Sequence, residues 1–346
     1  MEKFTLEIIQ DALVAAGDEM FQTLQRTSMS PIIYESLDYA VGITDAEGEL
    51  LAQGNGVTAF LAALDSVVQD TLKKYNTDNP LCKGDIVIAN SPYSGGGTHL
   101  SDVSIIMPVF VGEELVAFTV NKAHWTDLGG TFPGSVSTVA TEIFQEGLQF
   151  PFIKIKTKGV INHAVIDIIK SNVRLPDSTL GDLYAGMAAA EVGTRRINSI
   201  IEKYGLDTFK KAAESFLNYG ERMCVEALRG VPNGVYSGES ELEDNGFGEG
   251  PFPVKAKITV LEEKMIIDFN GSHPQVKGAT NLSFNGLVTG CRSLFKAITT
   301  PKMHANGGAF RPLEVICEPG TLVSATSPAA VSVYYEVLLT AIDLVW

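Results

Sequence analysis

Hydrophobic residues near the start of the chain recur every three or four positions, which is the spacing of one face of an α-helix. This repeat runs from Leu6 to Leu24. The pattern then changes, because strand-like segments at residues 38–44 and 49–53 flank the turn sequence Asp-Ala-Glu-Gly and predict a β-hairpin. Helical spacing returns between about residues 61 and 75. Helices and hairpins therefore alternate along this part of the chain.

The next segments predict a second hairpin. Residues 85–90 form an apolar run typical of a buried strand, and a glycine-rich loop follows it. Residues 103–110 and 115–124 then flank a turn around Gly112, as two antiparallel strands joined by a short connection would. The loop therefore leads directly into one end of this hairpin.

The rest of the chain divides into a helical part and a strand-rich part. The pattern is mostly helical over residues 164–226, whereas residues 255–260 and 265–269 predict strands. Hairpins outnumber regular βαβ units, which predicts an α+β fold with mixed or antiparallel sheets and a helical middle segment. We expect two domains, residues 1–230 with the helical segment and residues 231–346 rich in β-structure.

The end of the sequence has the pattern of an amphipathic helix. Residues 333–346 stop on an apolar turn, and no polar cap or tail follows them. Such an ending is unusual for a complete domain, because the apolar face of the last turn would be left uncovered. We therefore expect an incomplete or split domain whose remainder either lies on a further chain or has been lost.

The charge of the chain excludes several classes of partner. The 346 residues include 26 Lys and Arg against 41 Asp and Glu, which gives a formal net charge of −15. Such a surface repels nucleic acid, and no long apolar stretch predicts a membrane span. The first residues lack the pattern of a secretory signal, and the four cysteines form no CxxC pair. These features predict a cytoplasmic protein with reduced thiols.

Two histidines and an aspartate carry the clearest chemical signal. If the second hairpin turns between Gly112 and Glu113, paired residues have numbers that sum to about 225, so Asp102 lies opposite residue 123 or its neighbour. His124 then reaches the same end of the hairpin, and His99 lies three residues before Asp102. Imidazole nitrogens and a carboxylate suit Zn²⁺, Mn²⁺ or Fe²⁺. We favour a divalent metal site over ordinary polar residues at a sheet rim.

Two further polar residues have both a functional and a structural interpretation. Asp127 follows the hairpin and could orient a ligand or act as the catalytic base, or it could be a turn carboxylate. Arg311 lies in a glycine-containing loop and could bind a substrate carboxylate through two hydrogen bonds. For Arg311 the sequence alone favours the alternative, a structural ion pair. For Asp127 it favours neither.

The glycine-rich loop does not have a nucleotide-binding pattern. Gly95, Gly96 and Gly97 lack the GxxxxGK[ST] motif, and no GxGxxG opens a helix after a strand. We interpret these glycines as residues that let the backbone pass close to the metal site. No other segment has a nucleotide signature, so we expect any ATP to bind to a partner subunit.

Along nearly its whole length the sequence resembles the hydantoinase B/5-oxoprolinase family, which includes the large subunits of acetone and acetophenone carboxylases. Specific motifs carry this resemblance and recur from the first hairpin to the last loop. They are Leu-Asp-Tyr at 37–39, Asn-Ser-Pro-Tyr at 90–93, Gly-Gly-Thr-His-Leu-Ser-Asp at 96–102, Ala-His at 123–124, Asn-Val-Arg at 172–174, Asp-Phe-Asn-Gly at 268–271 and Arg-Pro at 311–312.

The resemblance implies a metal centre held by His99, Asp102 and His124, with Asp38 as a further ligand. It also implies that Asn90 and Tyr93, together with Arg311, bind substrate. The sequence departs from the family pattern in two places. Trp125 stands where the family often has a second histidine, and Ser91 where it commonly has aspartate.

The family implies a subunit of an ATP-dependent enzyme. A hydantoinase A-like partner would bind ATP and phosphorylate a lactam or imide, and water activated by the metal of this chain would then open the ring. One alternative keeps the metal but makes the reaction the ATP-dependent carboxylation of a ketone. A second alternative is a non-catalytic scaffold subunit whose site has decayed.

Overall fold

The computed structural model describes residues 3–61, 63–95 and 98–346. Two sheets carry helices packed against them, which confirms the predicted α+β class. The helices are α1 (Lys3–Thr27), α2 (Pro31–Tyr34), α3 (Thr58–Leu61), α4 (Leu64–Lys74), α5 (His163–Asn172), α6 (Pro176–Tyr204), α7 (Leu206–Leu228), α8 (Phe284–Thr299) and α9 (Tyr335–Val345). The strands are β1 (Tyr39–Asp45), β2 (Leu50–Gly56), β3 (Ile86–Ala89), β4 (Asp102–Val111), β5 (Glu114–His124), β6 (Ile153–Thr157), β7 (Val160–Ile161), β8 (Gly234–Leu242), β9 (Phe252–Val260), β10 (Met265–Asp268) and β11 (Leu313–Ile316).

The larger sheet has the strand order β2-β1-β5-β4-β3-β6-β7, and all neighbouring strands are antiparallel. Both of its faces are covered. On β5, Ala117 and Ala123 belong to the core formed with α1 and α6. Phe118 and Val120 belong to the core on the opposite face, with α4. Since side chains alternate along a strand, the later even-numbered residues of β5 share the face of Phe118 and Val120.

The β4–β5 hairpin has the predicted pairing, offset by one residue at its open end. Near the turn, Phe110 pairs with Leu115, and the numbers sum to 225 as expected. The register then shifts between Val109 and Phe110 because Val116 is an extra residue on β5. From that β-bulge onward the sum is 226, so Asp102 pairs directly with His124. The bulge therefore brings the two candidate ligands opposite each other.

The smaller sheet has the order β11-β10-β9-β8, in which β10 and β11 are parallel and the other pairs antiparallel. Strands β9 and β10 confirm the sequence prediction. Strand β8 was not predicted, because most of its residues are at least partly exposed and its apolar pattern is weak. The predicted terminal helix is present as α9, and α8 and α9 pack beside this sheet.

The composition change near residue 230 lies between the end of α7 and the start of β8. The division into two domains stays a prediction, since Val331 from the later part lies in the core of the larger sheet. Within the described ranges, no helix is both long and apolar enough to cross a bilayer. The four cysteines are free thiols, as expected.

Candidate metal centre

Two histidines and an aspartate meet at the open end of the β4–β5 hairpin. His99 Nε2 lies 3.1 Å from Asp102 Oδ1 and 3.2 Å from His124 Nδ1. Asp102 Oδ1 and His124 Nδ1 are 3.4 Å apart. Strand pairing places Asp102 opposite His124, and a tight turn, in which the Asp102 N–H donates to the His99 carbonyl, brings in His99. The convergence that the hairpin spacing predicts is therefore observed.

The spacing of these three donor atoms fits a divalent cation. Protein nitrogen and oxygen ligands lie about 2.0 to 2.1 Å from a tetrahedral zinc ion, which places them about 3.3 Å from one another. The three distances between donor atoms here are 3.1, 3.2 and 3.4 Å. Two imidazoles and one carboxylate are also common ligands of zinc, manganese and iron. Both the spacing and the donor types agree with a metal site.

The backbone fixes the ring of His99 in the orientation that a ligand needs. Its Nδ1 lies 3.1 Å from the Ser332 carbonyl oxygen, which only accepts hydrogen bonds, so Nδ1 donates. This tautomer leaves the lone pair of Nε2 directed at Asp102 and His124. The Tyr334 ring packs edge-on against the imidazole, with centroids 5.1 Å apart. The segment after β11 therefore completes the surroundings of His99.

Asp38 lies beside the cluster but slightly apart from it. Its Oδ2 is 3.8 Å from His124 Nδ1, and its carbonyl accepts a hydrogen bond from the His124 N–H. The donor atoms of His99, Asp102 and His124 all lie within 4.8 Å of one another, and Asp38 is not part of that group. Burial and the neighbouring Asp102 raise the pKa of Asp38. Its role as a fourth ligand stays a prediction.

The charges within the cluster are strongly coupled. Burial would raise the pKa of Asp102, but His99 and His124 outweigh this effect and hold it well below its usual range. Thr98 donates a hydrogen bond to the other oxygen of Asp102. Burial would lower the pKa of His99, but Asp102 and the Ser332 carbonyl raise it instead. The cluster is therefore organised around a buried anionic carboxylate.

A buried glutamate supports the segment that holds His99. Glu146 Oε1 accepts hydrogen bonds from the backbone N–H groups of Val331 and Ser332, both at 2.8 Å. Its Oε2 is buried and has no hydrogen-bond partner among the described residues. Burial raises the pKa of Glu146 to about 7. Sequence analysis missed this residue, because no local pattern links it to a backbone segment so distant in the chain.

A buried lysine lies two residues before His124. Lys122 has no exposed surface, and within the described part of the chain its Nζ has no hydrogen-bond partner. Burial lowers the pKa of Lys122 to about 8, and the Asp102 carboxylate partly offsets this shift. Sequence analysis missed Lys122 as well, although the strand period places it on the same face as His124.

Asp127 has the surroundings of a turn carboxylate. Its Oδ1 accepts hydrogen bonds from the N–H groups of Gly129 and Arg174, and its Oδ2 accepts from the N–H of Gly134 and the Arg174 guanidinium. Burial would raise its pKa, but these bonds lower it. The catalytic role of Asp127 stays a prediction, and this bonding favours the structural alternative.

Asn90 and Tyr93 also use their polar atoms within the fold. The Asn90 amide donates to the carbonyls of Leu100 and Leu148 and accepts from the N–H of Phe150. The Tyr93 hydroxyl donates to the Ala329 carbonyl. Both side chains tie the loop before β4 to neighbouring segments, so they shape the surroundings of His99. Direct contact of either one with substrate stays a prediction.

The structure does not bring Arg311 to the cluster. Its guanidinium binds both carboxylate oxygens of Glu49, at 3.0 and 2.6 Å, and also contacts Asn218 and Glu221. Glu49 follows β1 and Asp38 precedes it, and this strand has 7 residues. At about 3.3 Å per residue the two ends are about 20 Å apart. Arg311 thus forms the structural ion pair that the sequence favoured, and its role in substrate binding stays a prediction.

Of the three loop glycines, only Gly95 lies within the described residues. It has a φ of +66°, and a Cβ atom there would lie 2.5 Å from Asp70 Oδ2 and 2.9 Å from the Ser66 carbonyl. This close approach is to α4 rather than to the histidine cluster. Gly96 and Gly97 lie outside the residues that the structure describes, so their predicted role is untested.

Comparison with known proteins decides the family. A sequence profile described as hydantoinase B/oxoprolinase matches residues 2–346. The chain belongs to the hydantoinase B/oxoprolinase family. One relative is a Pseudomonas sp. (strain NS671) protein that is named as a subunit of a D-/L-hydantoinase. It shares 32% identity with this chain over 349 residues. The match covers 95% of this chain and 58% of the relative.

Solved structures share the fold of this hydantoinase B homologue. The crystal structure of an ATP-dependent caprolactamase from Pseudomonas jessenii has a TM-score of 0.91 at 29% identity, and the match covers all of this chain and 59% of that one. A nucleotide-free acetone carboxylase has a TM-score of 0.92 at 18% identity, covering all of this chain and 47% of that one, which shows the fold alone. The chain thus spans about half the length of these proteins.

Trp125, which stands where the family often has a second histidine, has a structural role in this chain. Trp125 is buried in the core of the larger sheet, and its ring packs edge-on against Phe150. The backbone N–H of Trp125 donates to the Ser101 carbonyl, which fixes the chain directly after His124. The side chain next to the cluster is therefore a packing residue rather than an additional ligand.

Proposed function

We propose that this chain is the metal-holding subunit of an ATP-dependent enzyme that hydrolyses a cyclic amide. The observation that carries the proposal is the cluster of His99, Asp102 and His124, whose donor atoms have the spacing of metal ligands. The family supports the class of reaction, because relatives are named for hydantoin, oxoproline and caprolactam, which are all cyclic amides.

His99, Asp102 and His124 would hold the cation, and Asp38 would be a fourth ligand or accept a proton from water at its edge. A bound divalent cation lowers the pKa of a water ligand to near neutrality. Asp102 supplies the buried negative charge, while the Ser332 carbonyl keeps His99 in the tautomer that exposes Nε2. With the cation bound, these residues would orient the water that attacks the activated amide carbon.

The cyclic amide requires activation before water can attack it, because a neutral amide is a poor electrophile. We propose that an ATP-binding, hydantoinase A-like partner phosphorylates the lactam or imide oxygen. Two observations support a separate chain for this step. The sequence has no nucleotide-binding motif, and two relatives, a hydantoinase and a caprolactamase chain, are each named as one subunit of a larger enzyme.

The test uses the complex purified through a tag on this chain. We expect co-purification of a larger ATP-binding subunit and about one Zn, Mn or Fe per chain by elemental analysis. We also expect ATP-dependent ring opening of a hydantoin, 5-oxoproline or caprolactam, lost on chelation and restored by the metal. Full activity in metal-free complex would contradict the proposal.

The same preparation distinguishes the alternatives that the sequence left open. Ketone carboxylation would appear as bicarbonate-dependent consumption of acetone or an aryl ketone in the presence of ATP, with no ring-opening activity. A scaffold subunit would leave turnover of the complex unaffected by the loss of its histidines. The two assays on the wild-type complex therefore assign the reaction class, and a histidine variant of the complex tests the scaffold alternative.

A further inference from the structure

Lys122 is a buried cation whose charge is not balanced by a contact in the described structure. Its side chain has no exposed surface, and its Nζ has no hydrogen-bond partner among the described residues. Buried ammonium groups in proteins are normally paired or hydrogen-bonded, because removing a charge from water is costly. The amine therefore has unused capacity to bind an anion.

Strand register places this amine next to the candidate metal centre. Lys122 and His124 are two residues apart on β5, so their side chains leave the same face of the sheet about 7 Å apart along the strand. Asp102 lies opposite His124, and Ser104 lies opposite Lys122. The four residues form two adjacent rows on one face, the first with the candidate ligands and the second with the lysine.

Asp102, the carboxylate whose charge acts on Lys122, has its oxygens already engaged. Asp102 Oδ1 contacts His99 and His124, and its Oδ2 accepts a hydrogen bond from Thr98. On its other side Lys122 pairs with Ala40 of β1, which has no polar side chain. The Asp102 charge attracts the ammonium group, but the two groups do not form a hydrogen bond.

We propose that Lys122, together with the cation held by His99, Asp102 and His124, forms a binding subsite for an oxyanion of the substrate. This inference rests on the proposed function and deepens it. In ring opening, the oxyanion is the phosphoryl group added by the partner. In carboxylation it is bicarbonate or a carboxylate. A local cation is needed in either case, since a chain with a net charge of −15 repels anions over most of its surface.

The experiment compares Lys122→Met with Lys154→Met in the purified complex. Lys154 is a fitting control, because it lies in β6 of the same sheet and already pairs with Asp85 at 2.8 Å. Inorganic phosphate and bicarbonate serve as probes, and their binding is measured by titration calorimetry with and without added Mn²⁺. Metal content is measured for each sample.

We expect Lys122→Met to weaken binding of at least one probe tenfold or more, with metal content unchanged, and Lys154→Met to bind both probes as the wild type does. Loss of phosphate binding assigns the subsite to a phosphoryl group, and loss of bicarbonate binding assigns it to a carboxylate. Unchanged binding of both probes would overturn the proposal. So would loss of the metal in Lys122→Met, since the lysine would then only support the metal site.

A second variant covers the case in which methionine prevents folding. Lys122→Gln keeps a hydrogen-bond donor but removes the charge, and the same tenfold criterion applies. We also expect phosphate to raise the Tm of the wild type more than that of either variant. Should the wild type bind no metal, the proposed function fails, while the metal-free titrations still decide whether Lys122 binds an oxyanion.

Discussion

The two ends of the larger sheet both gather charged side chains, but they use them differently. At the end where β4 begins, His99, Asp102 and His124 lie within hydrogen-bonding distance of one another, and Lys122 has a buried amine without a partner among the described residues. At the opposite end, Arg311 is fully engaged with neighbouring carboxylates and an amide.

The difference shows that convergence of charged residues does not by itself indicate a functional site. At the Arg311 end the guanidinium donors are taken up, because they face two carboxylates and one amide, and the group remains partly exposed. The histidine end is buried, and part of its bonding capacity is unused. Such capacity costs stability unless a ligand takes it up, which is why we place the function at that end.

The largest expected effect comes from removing one candidate ligand. His124→Ala leaves only two of the three clustered donors, so we expect loss of bound metal and at least about a 1,000-fold lower rate of ring opening, beyond the 10- to 100-fold typical of residues behind the ligands. Metal analysis and turnover of the complex measure both effects. His163→Ala, at an exposed histidine of α5, is the matched control. Unchanged turnover of His124→Ala would support a scaffold subunit.

A pH-dependent effect is expected from Glu146. Its pKa rises from 4.5 to about 7 on folding, so the folded chain holds the proton more tightly than the unfolded chain. The resulting stability is fully present below about pH 4.5 and is lost as the pH rises through 7. Between pH 5.5 and 8 we expect the free energy of unfolding to fall by about 2 kcal/mol from this group.

Urea unfolding of chelator-treated protein at several pH values measures this slope. Glu146→Gln should flatten it, because the amide cannot titrate, while Glu113→Gln at an exposed turn should leave it as in the wild type. If Glu146→Gln and the wild type have the same pH dependence, the carboxyl group is not the source of the slope.

Asp127→Asn tests whether this residue is a base or a turn carboxylate. In asparagine, an NH2 group replaces one carboxylate oxygen, and at the Oδ2 position it would face the N–H donors of Gly134 and the Arg174 guanidinium. Because donors would then oppose donors, we expect a loss of about 2 kcal/mol in the free energy of unfolding. Thermal unfolding measures it, with the exposed Asp167→Asn as control. A variant of wild-type stability but without turnover would instead identify Asp127 as the base.

Much of the fold and the core of the site could be predicted, because both depend on short-range geometry. A turn near Gly112 fixes the pairing of the two strands that flank it, and this pairing was enough to bring Asp102 and His124 together. The observed partner of Asp102, His124, is the neighbour of residue 123 that the prediction allowed, and the offset of one residue comes from a β-bulge at Val116 that has no clear sequence signal.

The residues that sequence reasoning missed depend on long-range contacts. Glu146 is linked to His99 through the backbone of Ser332, and Tyr334 packs on the same imidazole. No periodicity relates such distant segments. Lys122 is a different case, because alternation along β5 placed it on the ligand face. A lysine is usually exposed, so only the structure showed that this one is buried.

The smallest expected effect is at the end of the larger sheet where Arg311 lies. Arg311→Ala removes its ion pairs with Glu49 and Glu221, whose side chains are 30% and 42% exposed, and partly exposed pairs of this kind contribute roughly 1 kcal/mol or less each. We expect a small fall in Tm, similar to that of the exposed Arg195→Ala, and no change in metal content or in the KM for substrate. A large rise in KM would restore the substrate-binding role and remove the contrast between the two ends. An unchanged KM would show that Arg311 does not contribute to substrate recognition.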